Sequence, residues 1–513
     1  MIRTSVFILL AAVIFSCGKK PQDEPVVKEF AEQHRPQFHF SPPTSWMNDP
    51  NGMVFHNGEY HLFYQFYPDS NVWGPMHWGH AITKDLTHWE HLPIALFPDS
   101  LGYIFSGSAV VDKNNTSGLG SADNPPMVAI FTYHKAEGEK AGRIDYQTQG
   151  LAFSLDEGRT WTKYAQNPVL KNPGIKDFRD PKVFWHDPSK KWIMILAVQD
   201  HVEFFGSADL KSWNKLSEFG LGVGSHGGVW ECPDLFPLKV DGKERWVMLL
   251  SINPGAPNGG SGTQYFVGSF DGKSFVNDNP SNLSLWIDQG RDNYAGVTWS
   301  NIPESDGRRL FLGWMGNWEY AQVVPTYVWR SAMTLPRELT LANTSSGIRL
   351  ASHPVKEIES LMDSTVEISP ASVNGELALT SPLLEAGLYE LQIQLDSASK
   401  NDFSIELFNS VGEKVVVRYS KGGNAILIDR SAAGKNDFSP KFSGTGKGLR
   451  AIASHPTDIR LFVDQASVEL FMDNGLLVMT ETFFPSAPFN QVKVISDGLQ
   501  IKSGTIRKLK RIW

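Results

Sequence analysis

Three acidic residues each head the same kind of segment, in which a proline follows at once or one residue later and an apolar run comes next. Asp49 opens Asp-Pro-Asn-Gly-Met-Val-Phe, Asp180 opens Asp-Pro-Lys-Val-Phe-Trp, and Glu231 opens Glu-Cys-Pro-Asp-Leu-Phe. In all three a polar turn and a second apolar run complete the unit. A single Asp-Pro is usually a turn starter, and Asp187-Pro188 reads that way. Three acids at one register of a repeated unit instead predict carboxylates that converge on one point. Converging carboxylates do acid–base or nucleophilic chemistry, one held ionised and another protonated.

The elements that must bring them together are strands. From Met53 onward the apolar runs are short and bounded by turn residues, and Gly (45), Pro (31) and Trp (16) are plentiful, as many short strands require. A second repeat follows the strand pairs: Thr83-Lys84-Asp85, Ser154-Leu155-Asp156, Ser207-Ala208-Asp209 and, more weakly, Ser269-Phe270-Asp271, each closed by an aromatic residue. A hydroxyl residue and Asp at this spacing fold back on a turn. Self-similarity of this length, with about four strands per unit, marks propeller blades. Five units are countable, with starts near Asp49, Phe105, Asp180, Glu231 and Tyr294. The innermost strands of a propeller line its channel, so their first residues ring one mouth. From Val366 the pattern becomes alternating strands, read as an antiparallel β-sandwich. The expected organisation is all-β: a five-bladed β-propeller over 38–340, a linker over 341–365 with a short helix near His353–Leu361, and a C-terminal antiparallel β-sandwich over 366–513.

A net charge of −8 gives no electrostatic basis for binding nucleic acid. The 14 His lack metal-site spacing, and neither a metal nor an organic cofactor is expected. The apolar run Val6–Phe15 suits a signal-peptide core and is too short to span a bilayer. Ile14-Phe15-Ser16-Cys17 resembles a bacterial lipobox, which implies a signal peptide over 1–17, lipidation of Cys17, a polar tether over 18–37, and an exported, membrane-anchored protein. Cys232 is the other cysteine; it reads as a small apolar packing residue, and no intramolecular disulfide is expected.

Trp46-Met47-Asn48-Asp49-Pro50-Asn51-Gly52, Phe178-Arg179-Asp180-Pro181 and Trp230-Glu231-Cys232-Pro233-Asp234 resemble the three signature blocks of glycoside hydrolase family 32. The resemblance extends through Gly313–Trp318 and Trp329–Met333. It implies a β-fructosidase in which Asp49 is the nucleophile, Glu231 the acid/base and Asp180 the transition-state stabiliser. Asn48, Gln65, Trp73, Phe105, Ser106, Arg179, Tyr294 and Trp314 match the substrate-contacting positions; for Gln65, Trp73 and Trp314 taken singly, a place in the core fits the pattern equally. The expected reaction is release of terminal fructose from inulin or levan, with retention, and cleavage of sucrose. A sucrose-specific invertase, a non-catalytic carbohydrate-binding lipoprotein and a glycosidase of pentose polymers are the alternatives. The intact acids argue against the second, and the block around Asp49 against the third.

Overall fold

The computed structural model describes residues 30–399 and 401–513, so the expectations for the signal peptide, Cys17 and most of the tether lie outside the described residues. Five antiparallel sheets of four principal strands form the first domain, and among the described residues helix is confined to a few short turns. The acid-headed segments are the inner strands Ser45–His56 of blade one, Phe178–His186 of blade three and Val229–Val240 of blade four. Blades two and five start with Tyr103–Val111 and Tyr294–Thr298. Each inner strand contacts the next around the ring, and that of blade five returns to blade one, so the five blades close. Closure is reinforced by Trp329–Arg330, which runs parallel to Ser45 and Trp46 at the edge of blade one.

The Asp turns join the third and fourth strands of blades one to four. Asp85 Oδ1 accepts from the backbone N–H of Thr87 and His88, and Asp209 and Asp271 make the same pair of bonds with the residues two and three ahead. Blade five has no such Asp. Its third and fourth strands, Arg337–Thr344 and Gly347–Pro354, carry the propeller past residue 340, so most of the expected linker is blade. Only the 3-10 turn Lys356–Leu361 links the domains.

The second domain is a sandwich stitched together by one 19-residue strand, Gln491–Leu509. Its first half pairs with Ala371–Leu379 and Phe403–Phe408, and its second half with Met362–Ile368 and Tyr389–Leu395. Alternate residues such as Leu391, Ile405, Val417, Leu461 and Leu470 fill the core between the layers, each contributing about 1.5–3 kcal/mol on full burial.

Buried ion pairs join the domains. Arg337 of blade five donates to Asp288 at 3.0 Å and to Glu469 of the sandwich. His39 bridges Asp464 and Glu469 at 2.7 and 2.9 Å. Burial opposes charge on His39, but the two carboxylates prevail and raise its pKa from 6.5 to about 9. A pKa raised on folding stabilises the protein fully below 6.5, and that stability fades as pH rises through about 9. His39→Gln should therefore cost about 3 kcal/mol or more and remove this loss between neutral and alkaline pH. Melting temperatures of both proteins from pH 6 to 9.5 check this; parallel curves would refute it.

Candidate active site

Every inner strand carries a β-bulge at the same end of the channel. Asn48 and Asp49 together face Gln65; Phe105 and Ser106 face Thr132; Asp180 and Pro181 face Leu196; Cys232 and Pro233 face Leu250; Ala295 and Gly296 face Gly313. The three acids therefore do not share one register, contrary to what their sequence context implied. Glu231 stands just before its bulge, Asp180 is the first residue of its bulge, and Asp49 is the second. Bulges bend the strand and re-aim its side chains, which is how offset positions still reach one point. Asp180, Cys232 and Ala295 sit at φ 64°, 46° and 53°, a region costly for residues other than Gly. The site holds two of them directly: Asp180 N–H donates to Thr132 Oγ1 at 2.9 Å, and Cys232 N–H donates to Asp180 Oδ2 at 3.1 Å.

Asp49 is oriented from both sides. Trp46 Nε1 donates to Asn48 Oδ1 at 2.7 Å, and Asn48 Nδ2 to Asp49 Oδ1 at 2.9 Å. Ser106 Oγ donates to Asp49 Oδ2 at 2.6 Å. The Cys232 thiol lies between two of the acids, 3.4 Å from Asp49 Oδ2 and 3.7 Å from Asp180 Oδ2. Burial and then the charges of Asp49, Asp180 and Glu231 hold that thiol far above its ordinary pKa, so it stays neutral and donates. Cys232 is thus part of the site and not only a packing residue. What marks it in the chain is its place between Glu231 and a bulge proline.

Glu231 is gripped by neighbours at its own register. Arg179 Nη2 donates to Glu231 Oε1 at 2.9 Å, and the Tyr294 hydroxyl donates to Oε2. Arg179 also donates to Asp177 at 2.7 Å, while its Nε is 3.9 Å from Asp180. Its main partners are therefore Glu231 and Asp177, not the Asp180 beside it in sequence. Burial raises the Asp180 carboxyl to about 7, with Glu231 and Asp49 adding to the rise and Arg179 opposing it. Burial likewise lifts Asp49, helped by Glu231 and opposed by the Ser106, Asn48 and Cys232 donors.

The other expected residues divide. Phe105 stacks on His134 with ring centroids 4.1 Å apart, and Trp73 meets the Phe105 edge while staying 37% exposed at the mouth. Gln65 is buried beneath the Asp49 bulge, donating to Asn51 Oδ1 at 2.7 Å and to the Ile104 carbonyl at 3.0 Å. Trp314 is fully buried among Trp46, Trp318 and Tyr294, so it too braces the site from within the core. Gly52, at φ 53°, admits no side chain: a Cβ there would stand 2.6 Å from Phe63 and 2.8 Å from Trp78. Thr132, Asp177 and Trp46 are supports that the spacing of acids does not reveal.

Below the acids the channel is plugged. Lys182 Nζ donates to Asp234 Oδ2 at 3.0 Å and to the Thr298 carbonyl at 2.6 Å, joining blades three, four and five. A separate cavity of about 610 Å³ opens beyond this plug at the far end. One His–carboxylate group among the described residues is close enough for a cation, His201, Glu203 and Glu218, at the edge of blade three. Lys215 already donates to both of its glutamates, at 2.6 and 2.8 Å.

The profile described as the glycosyl hydrolases family 32 N-terminal domain matches residues 39–354, and that of the family's C-terminal domain matches 357–510. The chain belongs to glycosyl hydrolase family 32. Among family 32 relatives, a levanase of Bacillus subtilis is 47% identical over 520 residues, covering 99% of this chain and 74% of that protein. An extracellular exo-inulinase of Aspergillus awamori is 38% identical, covering 91% of this chain and 93% of that one. The crystal structure of the A. awamori exo-inulinase superposes with a TM-score of 0.85 at 35% identity, over 94% of this chain and all of the other.

Proposed function

We propose that this chain is a retaining β-fructosidase that removes terminal fructose from fructans such as levan and inulin, and also cleaves sucrose. The observation that carries this reading is the meeting of Asp49, Asp180 and Glu231 at one channel mouth, the first two sharing the Cys232 thiol and the third held by Arg179 beside Asp180. The levanase and exo-inulinase relatives agree with it in substrate class. In the first step Asp49 forms a bond to the anomeric carbon of fructose while Glu231 gives its proton to the departing glycosidic oxygen. In the second, Glu231 takes a proton from water, whose oxygen displaces Asp49 and restores the starting configuration. Asp180 accepts fructose hydroxyls and faces the positive charge that develops on the ring. Donors from Asn48 and Ser106 keep Asp49 aimed, and Arg179 and Tyr294 do the same for Glu231.

The Lys182–Asp234 plug favours attack at a chain end, because a sugar entering from the mouth meets a closed floor. The extracellular naming of the A. awamori relative supports export, and the lipobox resemblance at Cys17 supports a lipid anchor. Purified protein incubated with sucrose, inulin and levan, with products separated by chromatography, should yield free fructose from the start. Release of no fructose from any of the three would sink the enzyme reading, and short oligomers as first products would sink attack at chain ends.

A further inference from the structure

Ten large hydrophobic residues of the propeller are more than one-third exposed, and all but Leu155 and Val276 stand on connections at the acid-bearing end. Singly exposed apolar residues are ordinary, but their segregation to one face is not. Five of them, Val72, Trp73, Val323, Tyr327 and Val328, fall on just two loops, 68–76 and 316–328. We propose that this rim, led by Tyr327, is where the rest of a fructan chain lies while its terminal unit is cleaved. The inference rests on the fructosidase reading and assigns it a surface for the leaving polymer.

The rim is a built platform. Arg330 donates to the carbonyls of Gln322, Val324 at 2.9 Å and Thr326 at 2.7 Å, so the loop is wrapped around one guanidinium. Asn71 Nδ2 donates across to the Tyr327 carbonyl at 2.9 Å, tying the two loops together. With its backbone fixed on both sides, Tyr327 is still 78% exposed. A backbone fixed in advance has already lost part of the freedom that binding would otherwise cost.

The platform is also continuous with the site. Val328 accepts from Ser45 N–H at 2.7 Å, and Ser45 lies four residues before Asp49 on one strand, roughly 13 Å at strand rise. Trp73, on the partner loop, touches Phe105, whose neighbour Ser106 bonds Asp49. A chain whose end sits against Asp49 therefore has an apolar ledge to cross on the blade five and blade one side. Sugar rings have apolar faces that stack on aromatic side chains, with hydroxyls left to solvent.

Sucrose carries one unit beyond the scissile bond, whereas levan carries many, and the comparison isolates the ledge. Tyr327→Ala should lower kcat/KM for levan about 5–10-fold, chiefly through KM, and leave sucrose within about twofold. Tyr327→Phe should retain most of the polymer rate. Leu221→Ala, between blades three and four and 61% exposed, serves as the control and should leave both substrates unchanged. Unchanged levan kinetics in Tyr327→Ala, an equal loss on sucrose, or the same selective loss in Leu221→Ala would overturn the assignment. A wild-type dimer that Tyr327→Ala dissociates, seen by sedimentation, would overturn it too, by giving the rim to a second copy of the chain. Wild-type protein inert on every fructoside is a separate outcome that removes the fructosidase reading itself.

Discussion

Asp49→Asn should lose turnover on sucrose and levan by on the order of 10⁴-fold or more, while the melting temperature stays within a few degrees of wild type. The amide has the shape of the carboxylate but no charge to form a bond to the anomeric carbon. Its surroundings determine how cleanly the change isolates chemistry. Asp49 accepts from Asn48 on one oxygen and from Ser106 and Cys232 on the other. With the amide oxygen toward Ser106 and the thiol, its NH₂ group faces Asn48, whose own amide turns to present oxygen. That turn breaks the bond from Trp46 Nε1 to Asn48 Oδ1, a neutral bond of about 1 kcal/mol. Removal of charge from a site holding three acids offsets part of that loss, since burial and Glu231 both lift the Asp49 carboxyl. Substrate should therefore still bind. A variant that bound fructose as well as wild type yet turned over at a tenth of its rate would exclude Asp49 as nucleophile.

The identity of the acids was legible in the chain, and their geometry was not. Asp-Pro and Glu-Cys-Pro mark the inner strands because each proline stands in or directly after a bulge, where the ladder is already interrupted and a missing N–H costs least. The same spelling hides a one-residue offset at each acid, since a bulge depends on which residue accepts a positive φ. Asp180, Cys232 and Ala295 accept it without being Gly. Cys232 read as an apolar packer for the same reason: its thiol reaches two carboxylates only once the bulge turns it inward. Blade five was cut short at residue 340 because the Asp turn that announces the other blades is missing between its third and fourth strands. Periodicity identified the fold, and side-chain contacts across blades, such as Arg179 with Glu231, exist only once the ring is closed.

Those contacts shape what Glu231→Gln should do. General acid–base assistance contributes roughly 10²–10⁴-fold, so sucrose and levan, whose leaving groups are sugar alkoxides, should slow by that amount. A fructoside with a good leaving group needs no proton in the first step and should form the Asp49-linked intermediate near the normal rate. Its second step still lacks a base, so the intermediate accumulates. Azide needs no deprotonation, and added azide should restore turnover and yield a fructosyl azide detectable by mass spectrometry. The variant also changes a crowded corner. Wild-type Glu231 offers one oxygen to Arg179 and the other to the Tyr294 hydroxyl. Gln offers a single acceptor, which the charged guanidinium takes, leaving the NH₂ group against Tyr294. Tyr294 adapts by turning its hydroxyl to accept instead of donate. The fold should therefore survive, and the loss should track the leaving group. If the variant cleaves sucrose at the wild-type rate, or if azide restores nothing with a good leaving group, the proton donor is a different residue.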